Sequence, residues 1–157
     1  MILASKVSRP QEVARLSDDI ATRLGEVRLF AGCPKRVLRQ LIEGGREVDH
    51  KPGREVAAEG RGAAAFHYVM DGSAQVTVGG SARGELKPGD YFGEISLIDG
   101  KPRSATVKAG DDGMKTFAID RFEFNQVIKT HPDVAHTLLV NVCGRLRQCE
   151  AARSAMA

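Results

Sequence analysis

Between Arg46 and Ile119 a dense series of turn residues cuts the chain into short β-like runs, and that rhythm limits the folds open to it. Runs Arg46–His50 and Arg54–Ala58 flank Lys51-Pro52-Gly53. Phe66–Met70 and Ser73–Val78 flank Asp71-Gly72, a dipeptide favoured in two-residue hairpins. Gly79-Gly80 marks another turn, and Arg83–Leu86 ends at Pro88-Gly89-Asp90. Further on, Thr106–Ala109 and Lys115–Ile119 flank Gly110-Asp111-Asp112-Gly113. Turns about every eight to twelve residues predict a compact antiparallel roll or barrel.

Helical patterns lie on both sides of this region. Val13, Leu16, Ile20 and Leu24 recur at helical spacing from Pro10, which follows Ser8 and suits a first turn, and Gly25 suits the stop. Pro34 opens a second helix through Ile42, with Val37, Leu38 and Leu41 inward and Gly44-Gly45 closing it. Asp120 and Glu123 form a capping box for a helix reaching Thr130. Pro132 starts a long helix to about Arg153, with Ala135, Leu138, Leu139, Val142, Leu146 and Cys149 as one apolar stripe, for the chain's own core or for a dimer seam. Ser154–Ala157 should fray.

One stretch carries chemistry. Residues 88–107 run from the turn Pro88-Gly89-Asp90 through Tyr91, Phe92 and Gly93 to Glu94, which opens a short apolar helical turn; Arg103, Ser104 and Ala105 come before Thr106-Val107. Gly93 has no Cβ and lets backbone approach a ligand closely. The amides of Glu94, Ile95 and Ser96 would lie in a first helical turn without intrahelical partners, free to donate to an anion. Arg103 adds a forked cation for phosphate oxygens, while Glu94, itself an anion, suits a sugar hydroxyl. Glu94 and Arg103 could equally form a structural ion pair.

The whole string resembles the cyclic nucleotide-binding domain family, which includes the catabolite activator protein and the regulatory subunits of cyclic AMP-dependent protein kinase. Its signature is Phe-Gly-Glu, apolar or small residues, then Arg-(Ala/Ser/Thr)-Ala-(Thr/Ser)-Val, and each position is filled here. The resemblance implies an α+β, mainly β fold: an eight-stranded, jelly-roll-like antiparallel β-roll over about 46–119, a short phosphate-binding cassette helix, and two C-terminal helices over about 121–153. Residues 1–28 would be an N-terminal helical segment, and 29–157 the cyclic nucleotide-binding domain.

The resemblance further implies a 3′,5′-cyclic nucleotide as ligand and no metal. Arg103, Ser104, Ala105 and the amides after Phe92 and Gly93 (Glu94, Ile95, Ser96) would hold the cyclic phosphate. Glu94 would take the ribose 2′-hydroxyl, and Val76 would wall the sugar or base. Leu97 would carry cassette motion to the helices over Arg121–Arg153. Leu146, Arg145 and Arg147 are candidates to cap the base. Ser104 stands where cyclic GMP-selective relatives often have Thr and cyclic AMP-binding ones Ala or Ser, so cyclic AMP is the expected ligand and cyclic GMP the alternative. A docking module without nucleotide, and the sensor half of a transcription regulator, remain open.

Composition narrows the rest. The chain has 157 residues, room for one domain, and a net charge of +3 with basic and acidic residues interleaved, so nucleic acid is not an expected partner. His50, His67, His131 and His136 are dispersed, Gly100-Lys101 lacks the rest of a phosphate-binding loop, and no Gly-x-Ser-x-Gly occurs; a non-enzymatic role is expected. The three cysteines, Cys33, Cys143 and Cys149, show no metal spacing and fit reduced thiols. No signal-peptide core or membrane-spanning run appears, so a cytoplasmic protein is expected, either a stand-alone sensor or a domain working with a protein partner or fused effector.

Overall fold

The computed structural model describes residues 10–62 and 65–156. Ser8 and Ala157, parts of the expected first helix start and C-terminal fray, lie outside the described residues. Helix α1 (Pro10–Glu26) leads through a 3-10 turn (Arg28–Phe30) to α2 (Lys35–Glu43). The strands are β1 (Gly45–His50), β2 (Glu55–Ala57), β3 (Ala65–Val78), β4 (Ser81–Leu86) and β5 (Tyr91–Phe92). The short helix α3 (Glu94–Asp99) precedes β6 (Thr106–Asp120), α4 (Arg121–Thr130) and α5 (Pro132–Met156). None of the described helices is long and apolar enough to cross a membrane.

The sheet is antiparallel, ordered β1-β6-β3-β4, with β2 pairing β6 and β5 pairing β3. There are fewer strands than the sequence suggests because β3 and β6 each join two of the expected runs. Asp71-Gly72 is not a hairpin. Both halves of β3 pair with β6 rather than with each other, and the register shifts between Val69 and Asp71 and between Gly72 and Ala74. Gly72 has φ +77°, and a Cβ there would meet the Gly113 carbonyl and lie 2.9 Å from Met114 Cα. A bulge needs a residue of positive φ just as a primed turn does, so Asp-Gly serves either. The true two-residue hairpin is Gly79-Gly80, both at positive φ, joining Val78 to its partner Ser81.

Alternation along the strands divides the core in two. Phe66 and Tyr68 of β3, with Phe117 and Ile119 of β6, face the helices and pack with Leu24, Phe30, Leu41, Phe124 and Leu138. The rings of Phe30 and Phe66 meet edge-on at 5.4 Å between centroids. On the opposite face, inside the roll, lie Val69, Ala74, Phe92, Val107, Ala109 and Met114.

The helices depart from the expected patterns where polar contacts decide. Helix α1 runs through Gly25 to Glu26 and buries Ile20, Ala21 and Leu24, while Val13 and Leu16 are exposed. Asp120 caps α4, accepting from the Glu123 amide at 2.9 Å. The expected stripe on α5 is mostly outside: Leu139, Val142, Leu146 and Cys149 are exposed, and Val134 and Leu138 are buried. Asn141 fixes that rotation by donating to the Leu29 and Ala31 carbonyls at 2.9 and 3.2 Å, satisfying groups a hydrophobic count does not see. Ser154–Met156 continue the helix instead of fraying.

Inside the roll, His50 Nε2 and His67 Nδ1 lie 2.9 and 3.0 Å from the fully buried Thr116 hydroxyl. Burial, and then the nearby His50, Arg103 and Arg46, push the His67 pKa down from 6.5 to about 3. The unfolded chain therefore binds a proton at His67 that the folded chain refuses. Stability should fall as pH drops from about 6.5 toward 3, by up to about 1.4 kcal/mol per pH unit. Urea midpoints measured across that range should show this slope in the parent and a shallower one in His67→Gln, where His50, its pKa also lowered by burial, remains. A parent with a flat profile would contradict the burial.

Candidate functional site

The cassette is built by backbone geometry first. Gly93 sits at φ +95° as the residue before α3, and a Cβ there would lie 2.5 Å from the Ala65 carbonyl oxygen and overlap the Arg103 guanidinium. Only glycine fits. No side chain caps α3, so the first-turn amides of Glu94, Ile95 and Ser96 have no intrahelical acceptor. Gly100, at φ +70°, ends the helix by donating to the Ser96 carbonyl at 3.0 Å.

Arg103 is clamped on its main chain: its amide donates to the Arg61 carbonyl at 2.7 Å, and its carbonyl accepts from Gly60 at 2.8 Å. Its side chain is only 7% exposed. Nη2 donates to the Ala65 carbonyl at 2.9 Å, while Nη1 is buried without a hydrogen-bond partner among the described residues. Burial lowers the pKa of this guanidinium, with the Glu94 charge opposing it. A buried cationic N–H left unpaired is costly unless something outside the chain accepts from it.

Glu94 is 5% exposed and does not pair with Arg103 by a hydrogen bond or close ion pair. Its Oε1 accepts from Arg145 Nη1 at 2.7 Å, joining α5 to the cassette. The Arg145 guanidinium also lies over the Tyr91 ring, 5.5 Å from its centroid. Burial raises the Tyr91 pKa, with Arg145 working against it.

A cavity of about 170 Å³ opens between the roll and the cassette. Its lining brings together Val76, Phe92, Gly93, Glu94, Ile95, Ser96, Arg103, Ser104 and Ala105, the positions expected to touch the phosphate and sugar, but not Leu97 or the base-capping candidates. Ala57, Leu86, Tyr91 and Val107 complete it and were not anticipated. Tyr91 carried a signal, since it adjoins the Phe-Gly-Glu string; Ala57 and Leu86 come from distant strands and carried none. Leu97 is 1% exposed and packs in the helix-facing core, whereas Leu146 and Arg147 are exposed and Arg145 alone of the base-capping candidates makes a hydrogen bond to the cassette. The arrangement offers one unpaired cationic donor and free amides beside a carboxylate and apolar walls, which suits an anion carrying an uncharged polar and apolar body.

Residues 47–131 match the family model described as cyclic nucleotide-binding domain. The chain belongs to that family. Cyclic nucleotide-binding domains are regulatory, sensing modules rather than catalysts. Among curated relatives, a cAMP-dependent protein kinase regulatory subunit of Yarrowia lipolytica is 46% identical over 61 residues, covering 38% of this chain and 16% of that protein. A cGMP-dependent protein kinase of Toxoplasma gondii is 30% identical over 99 residues, covering 63% of this chain and 10% of that protein. This cyclic nucleotide-binding domain thus matches only a small part of either relative's length. In three dimensions it is similar to the crystal structure of the N-terminal domain of a transcriptional regulator from Streptomyces coelicolor A3(2). That match has a TM-score of 0.70 and 26% identity, and covers 83% of this chain and 94% of the other.

Proposed function

We propose that the domain binds a 3′,5′-cyclic nucleotide, cyclic AMP in preference to cyclic GMP, in the cavity under the cassette, and relays occupancy through α4 and α5. The observation that carries the reading is Arg103 Nη1, buried, cationic and unpaired among the described residues, beside the free amides of α3. A singly charged cyclic phosphate supplies the missing acceptor. Ser104 and Ala105 close on the same phosphate, and Glu94 keeps Oε2 for the ribose 2′-hydroxyl while Oε1 holds Arg145. Val76 and Leu86 wall the sugar and base. Loss of nucleotide binding in a docking module would leave no use for an orphaned buried cation.

The cyclic AMP preference rests on Ser104 and on the 46%-identical relative, whose name specifies cAMP dependence. Competition against a fluorescent cyclic nucleotide should rank cyclic AMP ahead of cyclic GMP by about tenfold, a difference of roughly 1.4 kcal/mol. Equal or reversed affinities overturn the preference. Failure of both to compete overturns the function.

Relay rests on two links between cassette and helices: Leu97 in the helix-facing core, and Arg145 on Glu94. With Arg145 held on Glu94 and over the Tyr91 ring, ligand should slow amide exchange along α5 as well as in the cassette. Arg145→Ala should speed ligand dissociation by about three- to tenfold, the scale of one partly exposed charge-assisted hydrogen bond. It should also abolish the protection of α5. Protection confined to residues 92–106, with dissociation unchanged, would make α5 a fixed scaffold.

A further inference from the structure

The roll has a second cavity, separated from the cassette cavity by the Phe92 ring. Its volume is about 620 Å³, and it is floored by His50 and His67 and rimmed by Arg46, Lys51 and Arg54. It shares no lining residue with the cassette cavity, and Phe92 is stacked on His67 at 4.7 Å between centroids and 9° between planes.

Charge and hydrogen bonding both leave room for a ligand here. Arg46, Lys51 and Arg54 make no ion pair among the described residues. Two acids, Asp49 and Glu55, share this rim with the three cations, and Asp49 also lies 3.9 Å from Lys115. Each histidine is 8% exposed, and its only side-chain hydrogen bond among the described residues is the one to Thr116.

That shared hydroxyl couples the rings. Thr116 has one proton to give, so it donates to one ring and accepts an N–H from the other. The ring that receives the proton carries its own N–H on the nitrogen away from Thr116, which is not among the buried unpartnered atoms. The ring that donates leaves the corresponding nitrogen bare. The floor therefore presents one donor and one acceptor beneath a cationic rim. An oxyanion with both an ionised oxygen and a hydroxyl matches it, and a fully ionised one meets the bare nitrogen with a lone pair.

We propose that this cavity is a second ligand site, which takes inorganic phosphate in its hydrogen phosphate form. Inorganic phosphate keeps a proton at neutral pH. Sulfate does not, and a phosphate monoester, with a second pKa of about 6, mostly does not. The site is independent of the cyclic nucleotide reading, since none of its residues belongs to the cassette.

Nitrogen NMR of the imidazole rings tests it. In the free protein one of the two rings should be protonated on its Thr116 side and the other on the side away from Thr116. Titrating inorganic phosphate should saturably move the nitrogens of His50 and His67 that lie away from Thr116. Sulfate should bind at least about tenfold more weakly, the scale of one hydrogen bond to a charged group. The exposed double variant R46S/R54S should weaken phosphate by about tenfold or more through loss of two cations, with an unchanged thermal midpoint. Arg103→Ala should leave the ring response in place. Rings both protonated toward Thr116, shifts unmoved at millimolar phosphate, sulfate binding as well as phosphate, or a response lost in Arg103→Ala would each overturn the proposal.

Discussion

Arg103→Ala should weaken cyclic nucleotide binding by about 2–4 kcal/mol, roughly 30- to 1,000-fold, while leaving the domain folded. The size of the effect follows from burial. At 7% exposure the guanidinium meets the cyclic phosphate out of competition with water, and Nη1 has no rival acceptor among the described residues. Stability responds differently. The substitution removes one hydrogen bond, to the Ala65 carbonyl, and also removes an unsatisfied buried charge; these oppose each other, and the net change should stay within about 1 kcal/mol. Arg103→Lys should restore only part of the affinity, because an ammonium cannot reach Ala65 and the phosphate as a fork. Binding isotherms and thermal melts on the three proteins check this. If Arg103→Ala unfolds the domain with no separate effect on affinity, the residue is a structural post.

Gly93→Ala should damage both fold and site. At φ +95° an L-residue is strained by about 1–2 kcal/mol. The added methyl also meets the Ala65 carbonyl, which is backbone and cannot rotate away, and the Arg103 guanidinium, whose position defines the cavity. Together these should destabilise the domain by roughly 2–4 kcal/mol, a fall of about 5–15 °C in melting midpoint for a chain of this size. Cyclic nucleotide binding should be lost even at temperatures where the variant is folded, since Arg103 must move to make room. A melt indistinguishable from the parent, with parental affinity, would mean the cassette backbone relaxes freely and does not define the site.

The cassette was legible in the sequence because its chemistry is local: Gly93, Glu94 and Arg103 lie within one short string, and the turn residues around them dictate the backbone. The antiparallel roll was legible through its turn spacing. What escaped was decided by contacts between distant segments. Asp71-Gly72 has the same residue chemistry for a hairpin and for a bulge, and only the common partner β6 selects the bulge. The face that α5 turns inward is chosen by Asn141 and Arg145, polar residues whose acceptors at Leu29, Ala31 and Glu94 lie far away in the chain. The Glu94–Arg145 pair displaced the expected alternative of a Glu94–Arg103 ion pair for the same reason. His50, His67 and Thr116 sit on three different strands that no sequence spacing relates.

The central claim is that Arg103 and the cassette hold a cyclic phosphate, and isothermal titration of the whole chain with cyclic AMP, set against 5′-AMP, tests it most directly. A cyclic phosphate carries one charge and has two of its oxygens tied to the ribose, matching one guanidinium and a few amides; the free phosphate of 5′-AMP carries more charge and cannot take that shape. The account predicts saturable heat at one site per chain for cyclic AMP and much weaker binding of 5′-AMP. No saturation with any cyclic nucleotide at millimolar concentration, or 5′-AMP binding as tightly as cyclic AMP, would contradict it.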